Sequence, residues 1–162
     1  MHCSRPVEEL RVPKRRVPVE VVLPGGAARR VVLFLAEAAP GHDGPERPSD
    51  LLNGAGTFVP ALDEAGGEMT FLHRGSIALA RVPPEAEPEP GGGFTIPTEH
   101  EVEVRLLDGT RLGGLVTYVL PPERSRLGDF LCQPEPFFRL LERGGVTLVG
   151  RAHVASVSVV SR

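Results

Sequence analysis

Apolar and polar residues alternate with a period of two in short stretches along most of the chain, the pattern of half-buried strands. In the N-terminal half the alternation predicts strands over 17–23, 29–37, 58–62, 69–73 and 77–82. In the C-terminal half it predicts them over 101–107, 111–120, 137–142, 146–149 and 153–159. Asp108-Gly109 and Gly144-Gly145 interrupt the second set where hairpin turns belong. Between the second and third strands of each half, Ser49–Asn53 and Leu127–Cys132 read as one helical turn, with Ser49 as the expected cap of the first. Phe58, Leu62, Phe71, Phe137, Phe138, Leu141 and Leu148 are the expected core.

The two sets of strands correspond residue by residue. Val19-Glu-Val-Val-Leu23 matches Val102-Glu-Val-Arg-Leu106, and Arg47-Pro-Ser-Asp50-Leu-Leu52 matches Arg126-Leu-Gly-Asp129-Phe-Leu131. Thr57-Phe58-Val59 matches Pro136-Phe137-Phe138, and Thr70-Phe-Leu-His-Arg74 matches Thr147-Leu-Val-Gly-Arg151. The offset drifts from 83 to 79 to 77, as small loop deletions would produce. Such self-similarity is the signature of a duplicated unit. The expectation is an all-β protein of two similar five-stranded small barrels, since closure removes exposed edges. Its parts would be a flexible basic N-terminus (1–16), a first repeat (17–83), a linker rich in Pro, Glu and Gly (84–98) and a second repeat (99–162). The linker should run extended and solvated.

Leu106-Leu-Asp108-Gly109-Thr-Arg-Leu112-Gly-Gly114-Leu-Val116 resembles the first motif of Sm-like proteins: an apolar residue, Asp-Gly, an apolar residue three later and Gly two after that. The last hairpin, from Thr147 through Val154 and Val157, is similar to the second motif of that family. The resemblance implies an Sm/SH3-like barrel. It does not carry RNA binding with it, because the loop after the second strand lacks the family's Asn and the Arg-Gly pair of the last hairpin stands reversed as Gly150-Arg151. The Arg-x-x-Asp-x-Leu run before a Phe-containing strand also resembles a bacterial domain of unknown function.

Composition narrows the classes of function. A net charge of -3, no Trp and one Tyr give little footing for phosphate attraction or base stacking. No apolar run approaches the roughly 20 residues of a membrane span, and residues 1–16 lack the apolar core of a signal peptide, so the cytoplasm is the expected location. Of the two cysteines, Cys132 is expected to be a buried small hydrophobe and Cys3 to lie in the flexible N-terminus. The five His residues show neither helical spacing nor an accompanying Cys pair, and no nucleophile elbow or phosphate loop occurs. The expectation is therefore no enzyme, no metal and no cofactor.

Arg47/Asp50 and Arg126/Asp129 recur at identical spacing and are candidate partner-binding residues, with a loop clamp as the plainer role. Arg11, Lys14, Arg15 and Arg16 are candidate phosphate contacts. Arg11 with Arg15, followed by Asp50, is also similar to the cyclic-dinucleotide site of PilZ domains, although the Ser and Gly of that pattern are missing. The expected function is a non-enzymatic binding or scaffold protein that engages a protein partner, with homo-oligomers through edge strands as a further expectation. An Sm-like RNA binder and a degenerate PilZ-like module are the alternatives.

Overall fold

The computed structural model describes residues 14–39, 41–42, 44–89, 96–124 and 126–160. Strands β1 (Lys14–Val22), β2 (Ala28–Ala36), β3 (Phe58–Asp63), β4 (Met69–His73) and β5 (Leu79–Val82) make up the first half. Strands β6 (Thr98–Leu106), β7 (Arg111–Tyr118), β8 (Phe137–Glu142), β9 (Gly145–Gly150) and β10 (Val154–Val159) make up the second. Helix α1 (Pro48–Leu52) lies between β2 and β3, and α2 (Leu127–Leu131) between β7 and β8. The all-β class and both helical turns are as the alternation and the breaker residues predict.

The strands form one ten-stranded antiparallel sheet in the order β10-β6-β7-β8-β9-β5-β1-β2-β3-β4. Each half contributes the same internal order, its fifth strand first and then its first to fourth. Register repeats as well. Ala80 faces Val21, as Val157 faces Val104. Phe58 faces His73, as Phe137 faces Gly150. The residues matched in sequence thus hold equivalent places in the ladder. The halves join where β5 pairs with β9, Leu79 to Val149 through Val82 to Val146.

That junction explains the packing. Val17, Val19, Val21, Leu33, Leu35, Val59 and Leu72 pack in one core, which also takes Phe137, Val146 and Leu148 from the second half. Val102, Val104, Leu112, Val116 and Leu140 pack in the other, which takes Val22, Ala78 and Leu79 from the first. Alternate side chains of β5, β8 and β9 therefore enter different cores. This is why Gly145–Gly150 is buried at every position after the first, whereas its counterpart Met69–His73 buries only Leu72. Three of the seven expected core residues, Phe137, Phe138 and Leu148, are buried. Leu62 and Leu141 are half-buried, and Phe58 and Phe71 are exposed. Val59, Ala61 and Leu72 take the inward places on β3 and β4, so pleating turns both Phe rings outward.

Two glycines of the Asp-Gly motif have distinct tasks. Gly109 turns the β6–β7 hairpin at φ +94°, a left-handed conformation that side chains disfavour. Gly114 lies under β8, where a Cβ would stand 2.4 Å from the Leu141 carbonyl oxygen.

Several boundaries differ from expectation. Lys14, Arg15 and Arg16 belong to β1 and not to a flexible N-terminus, while Arg11 and Cys3 lie outside the described residues. The start of the expected linker is folded: Pro84–Ala86 form a 3-10 turn, and Ala86 and Glu87 are buried. Cys132 is exposed at the end of α2, where the chain leaves the helix before Phe137 re-enters the core.

Candidate binding cleft

Each short helix is fastened at both ends, and the same residues do it in both halves. At its start, the Asp50 carboxylate accepts the Arg47 backbone N–H at 2.8 Å, which meets one of the donors left open at a helix N-terminus. The Arg47 guanidinium adds two contacts of 3.3 Å to the same carboxylate, and His42 Nε2 lies 2.6 Å from Asp50 Oδ2. Burial alone would raise the Asp50 pKa, but the bonds from His42 and Arg47 outweigh it and hold it below the ordinary carboxylate range. In the second half the Arg126 N–H reaches Asp129 Oδ2 at 3.4 Å. The repeated Arg/Asp pairs thus act as caps of their helices. Ser49, expected as the cap, is buried inside the first turn, and Arg47 holds the N-cap position.

At the helix ends stand two arginines that the sequence pairs but does not explain. Arg74 donates from Nε to the Leu52 carbonyl at 2.9 Å, from Nη2 to that of Leu51 at 2.9 Å, and from Nη1 to those of Ala55 and Gly56. Arg151 repeats this atom for atom: Nε to Leu131 at 3.0 Å, Nη2 to Phe130 at 2.9 Å and Nη1 to Glu135 at 2.6 Å. A planar fork of five donors suits carbonyls that diverge from the end of a helix. The Arg151 guanidinium also lies over the rings of Phe130 and Phe138, 5.5 and 5.3 Å from their centroids. The signal was present in the sequence as an Arg kept in both copies; its role needed the fold.

Glu87 is a further residue that sequence reasoning missed. Its carboxylate is buried where α1 meets β8, accepting the Ser49 N–H at 2.9 Å and the Ser49 hydroxyl at 2.6 Å. Arg139 Nε lies 3.5 Å from it, and Arg139 Nη2 donates to the Glu87 carbonyl at 3.0 Å. Further side-chain bonds join the halves elsewhere along the junction. Asn53 Oδ1 accepts the Phe137 N–H at 2.8 Å, the Gly25 N–H donates to Asp108 Oδ2 at 2.7 Å, and His153 Nε2 lies 2.7 Å from the Gly75 carbonyl oxygen.

Between α1, α2 and the ends of β7 and β8 opens a cleft of about 740 Å³. Tyr118, Phe130, Phe137 and Phe138 line it together with the exposed Val119, and Arg47, Arg139 and Arg151 border it. Tyr118 stacks on Phe130 at 4.9 Å, and burial followed by the nearby Asp129 charge raises its pKa. The three bordering arginines lie against Asp50, Glu87 and helix-end carbonyls, although the buried Arg139 Nε makes no hydrogen bond. Among the described residues the cleft has an aromatic floor, with the carboxylates of Glu89 and Glu135 also on its lining.

The candidate phosphate contacts do not converge on this cleft. Lys14 and Arg16 are exposed on β1, with Arg16 over the Phe34 ring at 5.7 Å, while Arg15 Nη2 donates to the Glu46 carbonyl at 2.7 Å. Among the described residues no group of three or more His, Cys, Asp or Glu is placed to hold a metal ion. No helix among them is long and apolar enough to cross a membrane. The chain matches none of the protein-family models, curated proteins or solved structures with which it was compared.

Proposed function

We propose that the chain is a non-enzymatic binding and scaffold protein of two Sm-like small-barrel units, and that its cleft takes an apolar segment of a protein partner. The observation that carries this reading is the state of the polar groups around the cleft. Arg47, Arg139 and Arg151 already hold internal partners, as does Asp50. Acid-base or nucleophilic chemistry needs a titratable group free to meet a substrate, next to a group that activates it. The rest of the lining is mainly apolar, with Val119, Leu120, Tyr118 and Phe130, beside the carboxylates of Glu89 and Glu135. The repeated strand order supports two similar units, which a scaffold can use to raise the local concentration of a partner with two matching segments.

Affinity capture from native lysate, with the wild-type chain beside Val119→Glu, tests the reading. Val119 is exposed, so a carboxylate there leaves the fold intact and charges the mouth of the cleft. The expected outcome is a protein retained by the wild type and lost by the variant. Capture indifferent to the variant would overturn the assignment of the cleft, and a turnover measured on purified protein would overturn the non-enzymatic reading. RNA released steeply by salt would favour the nucleic-acid alternative instead.

A further inference from the structure

The charged side chains around the cleft differ in how far they reach into solvent. Arg47 and Arg139 keep only 17% and 18% of their side chains exposed, drawn down against Asp50 and Glu87. Arg151 directs its N–H groups to the carbonyls at the end of α2. Glu89 and Glu135 are the reverse case. Both are exposed on the lining, and among the described residues neither carboxylate makes a hydrogen bond or an ion pair. Glu135 comes near enough to Arg151 for its charge to oppose the lowering of the Arg151 pKa by burial, but forms no direct bond with it. Negative charge also reaches the floor, where Asp129 adds to burial in raising the Tyr118 pKa. Apolar surface continues past the mouth. Pro97 and Val119, which flank the Thr98–Tyr118 pair of the β6–β7 ladder, both line it, and Ile96 beside Pro97 is 88% exposed. An exposed apolar patch with a polar rim is the form of an interaction site, and here the charges that a partner meets are carboxylates.

From this we infer that the occupant of the cleft is a segment of a partner protein in which a lysine or arginine stands close to the entering apolar side chain. The cation meets Glu89 or Glu135 at the rim. The inference rests on the reading of the cleft as a site for a protein segment, and it names what that segment must carry. Apolar contact with Tyr118, Phe130 and Val119 supplies the affinity, as buried anchors do at interfaces. Charge at the rim instead selects among partners and speeds their encounter. An acidic segment would bring its carboxylates against Glu89 and Glu135, and a nucleic acid its phosphates; like charge disfavours both. An apolar floor alone cannot tell apart two segments of equal hydrophobicity. Exposed carboxylates can, by repelling one of them.

A random peptide library displayed on phage and panned against the immobilised full chain supplies the probes, and fluorescence anisotropy measures the affinity of the selected peptides. These peptides should carry a basic residue within a few positions of a shared apolar one. Their affinity should fall about two- to fivefold in Glu89→Gln, in Glu135→Gln or in both, the range of an exposed ion pair. Added salt should weaken binding to the wild type more than to the responding variant. Replacing the basic residue of the peptide by Gln should cancel the difference between that variant and the wild type, as a double-mutant cycle requires. Val119→Ser removes apolar surface at the mouth without altering charge and should weaken every selected peptide. Circular dichroism confirms that the three variants, all at exposed positions, keep the fold. Peptides that need Val119 but share no basic residue, or that bind both Gln variants as they bind the wild type, would overturn this inference and leave the apolar cleft standing. Selection of no peptide, or of peptides indifferent to Val119→Ser, would overturn the assignment of the cleft and the inference with it.

Discussion

The buried carboxylate of Glu87 shows what one side chain contributes that composition does not announce. A charge out of water is tolerated only when its oxygens are met by donors, and here Ser49 supplies two while Arg139 lies alongside. Removing the carboxylate would strand the Ser49 N–H and hydroxyl and leave Arg139 without its counter-charge. Glu87→Ala is expected to destabilise the protein by about 3–5 kcal/mol, the range for breaking a buried pair from one side. Glu87→Gln, which keeps an acceptor, should cost clearly less. Urea midpoints at neutral pH compare the two, and equal losses would show that the acceptor is dispensable. From sequence, Glu87 is one acid in a Pro- and Glu-rich tether. Its burial depends on where β8 lies in space, which no local pattern states.

Among the elements, the strands and helical turns were legible because their causes are local: period-two alternation, Asp-Gly and Gly-Gly turns, and an Asp three residues after an Arg. Which face of a strand turns inward was less so. Phe58 and Phe71 are large and apolar, yet β3 and β4 direct smaller neighbours inward, since the face is chosen by the neighbouring strands. Likewise, the Arg/Asp pairs could be found by their repetition, but their role as caps needed the hydrogen bonds. The hairpin turn between β6 and β7 gives a test at this scale. Bonds from the Thr110 backbone and hydroxyl, then from the Gly25 N–H, hold the Asp108 pKa below the ordinary carboxylate range. A carboxylate depressed on folding stabilises the native state above its unfolded pKa of about 3.9, and that contribution disappears as pH falls through the folded value. The wild type should therefore lose stability more steeply below about pH 4 than Asp108→Asn, which has no proton to take up. Parallel acid-dependence curves for the two proteins would remove Asp108 from this role.

Over the whole molecule, the repeat read in the sequence says that the halves are alike and is silent on how they meet. Edge pairing of β5 with β9 makes each core incomplete without the other half: Leu148 packs with Val19 and Val21, and Leu79 with Val102 and Val104. Neither half can keep its core dry once the other unfolds, so the protein should unfold as one cooperative unit. Tyr118, the single tyrosine, reports on the second half by fluorescence, and far-ultraviolet circular dichroism reports on the strands of both. The two signals are expected to follow one urea transition. Leu148→Ala sharpens the test, because Leu148 belongs to the second half in sequence and to the core of the first in space. Truncating this fully buried leucine should cost about 2–5 kcal/mol and shift both signals together. A tyrosine signal that held its midpoint while the dichroism moved would mean that the cores melt separately, with the junction a contact between independent units.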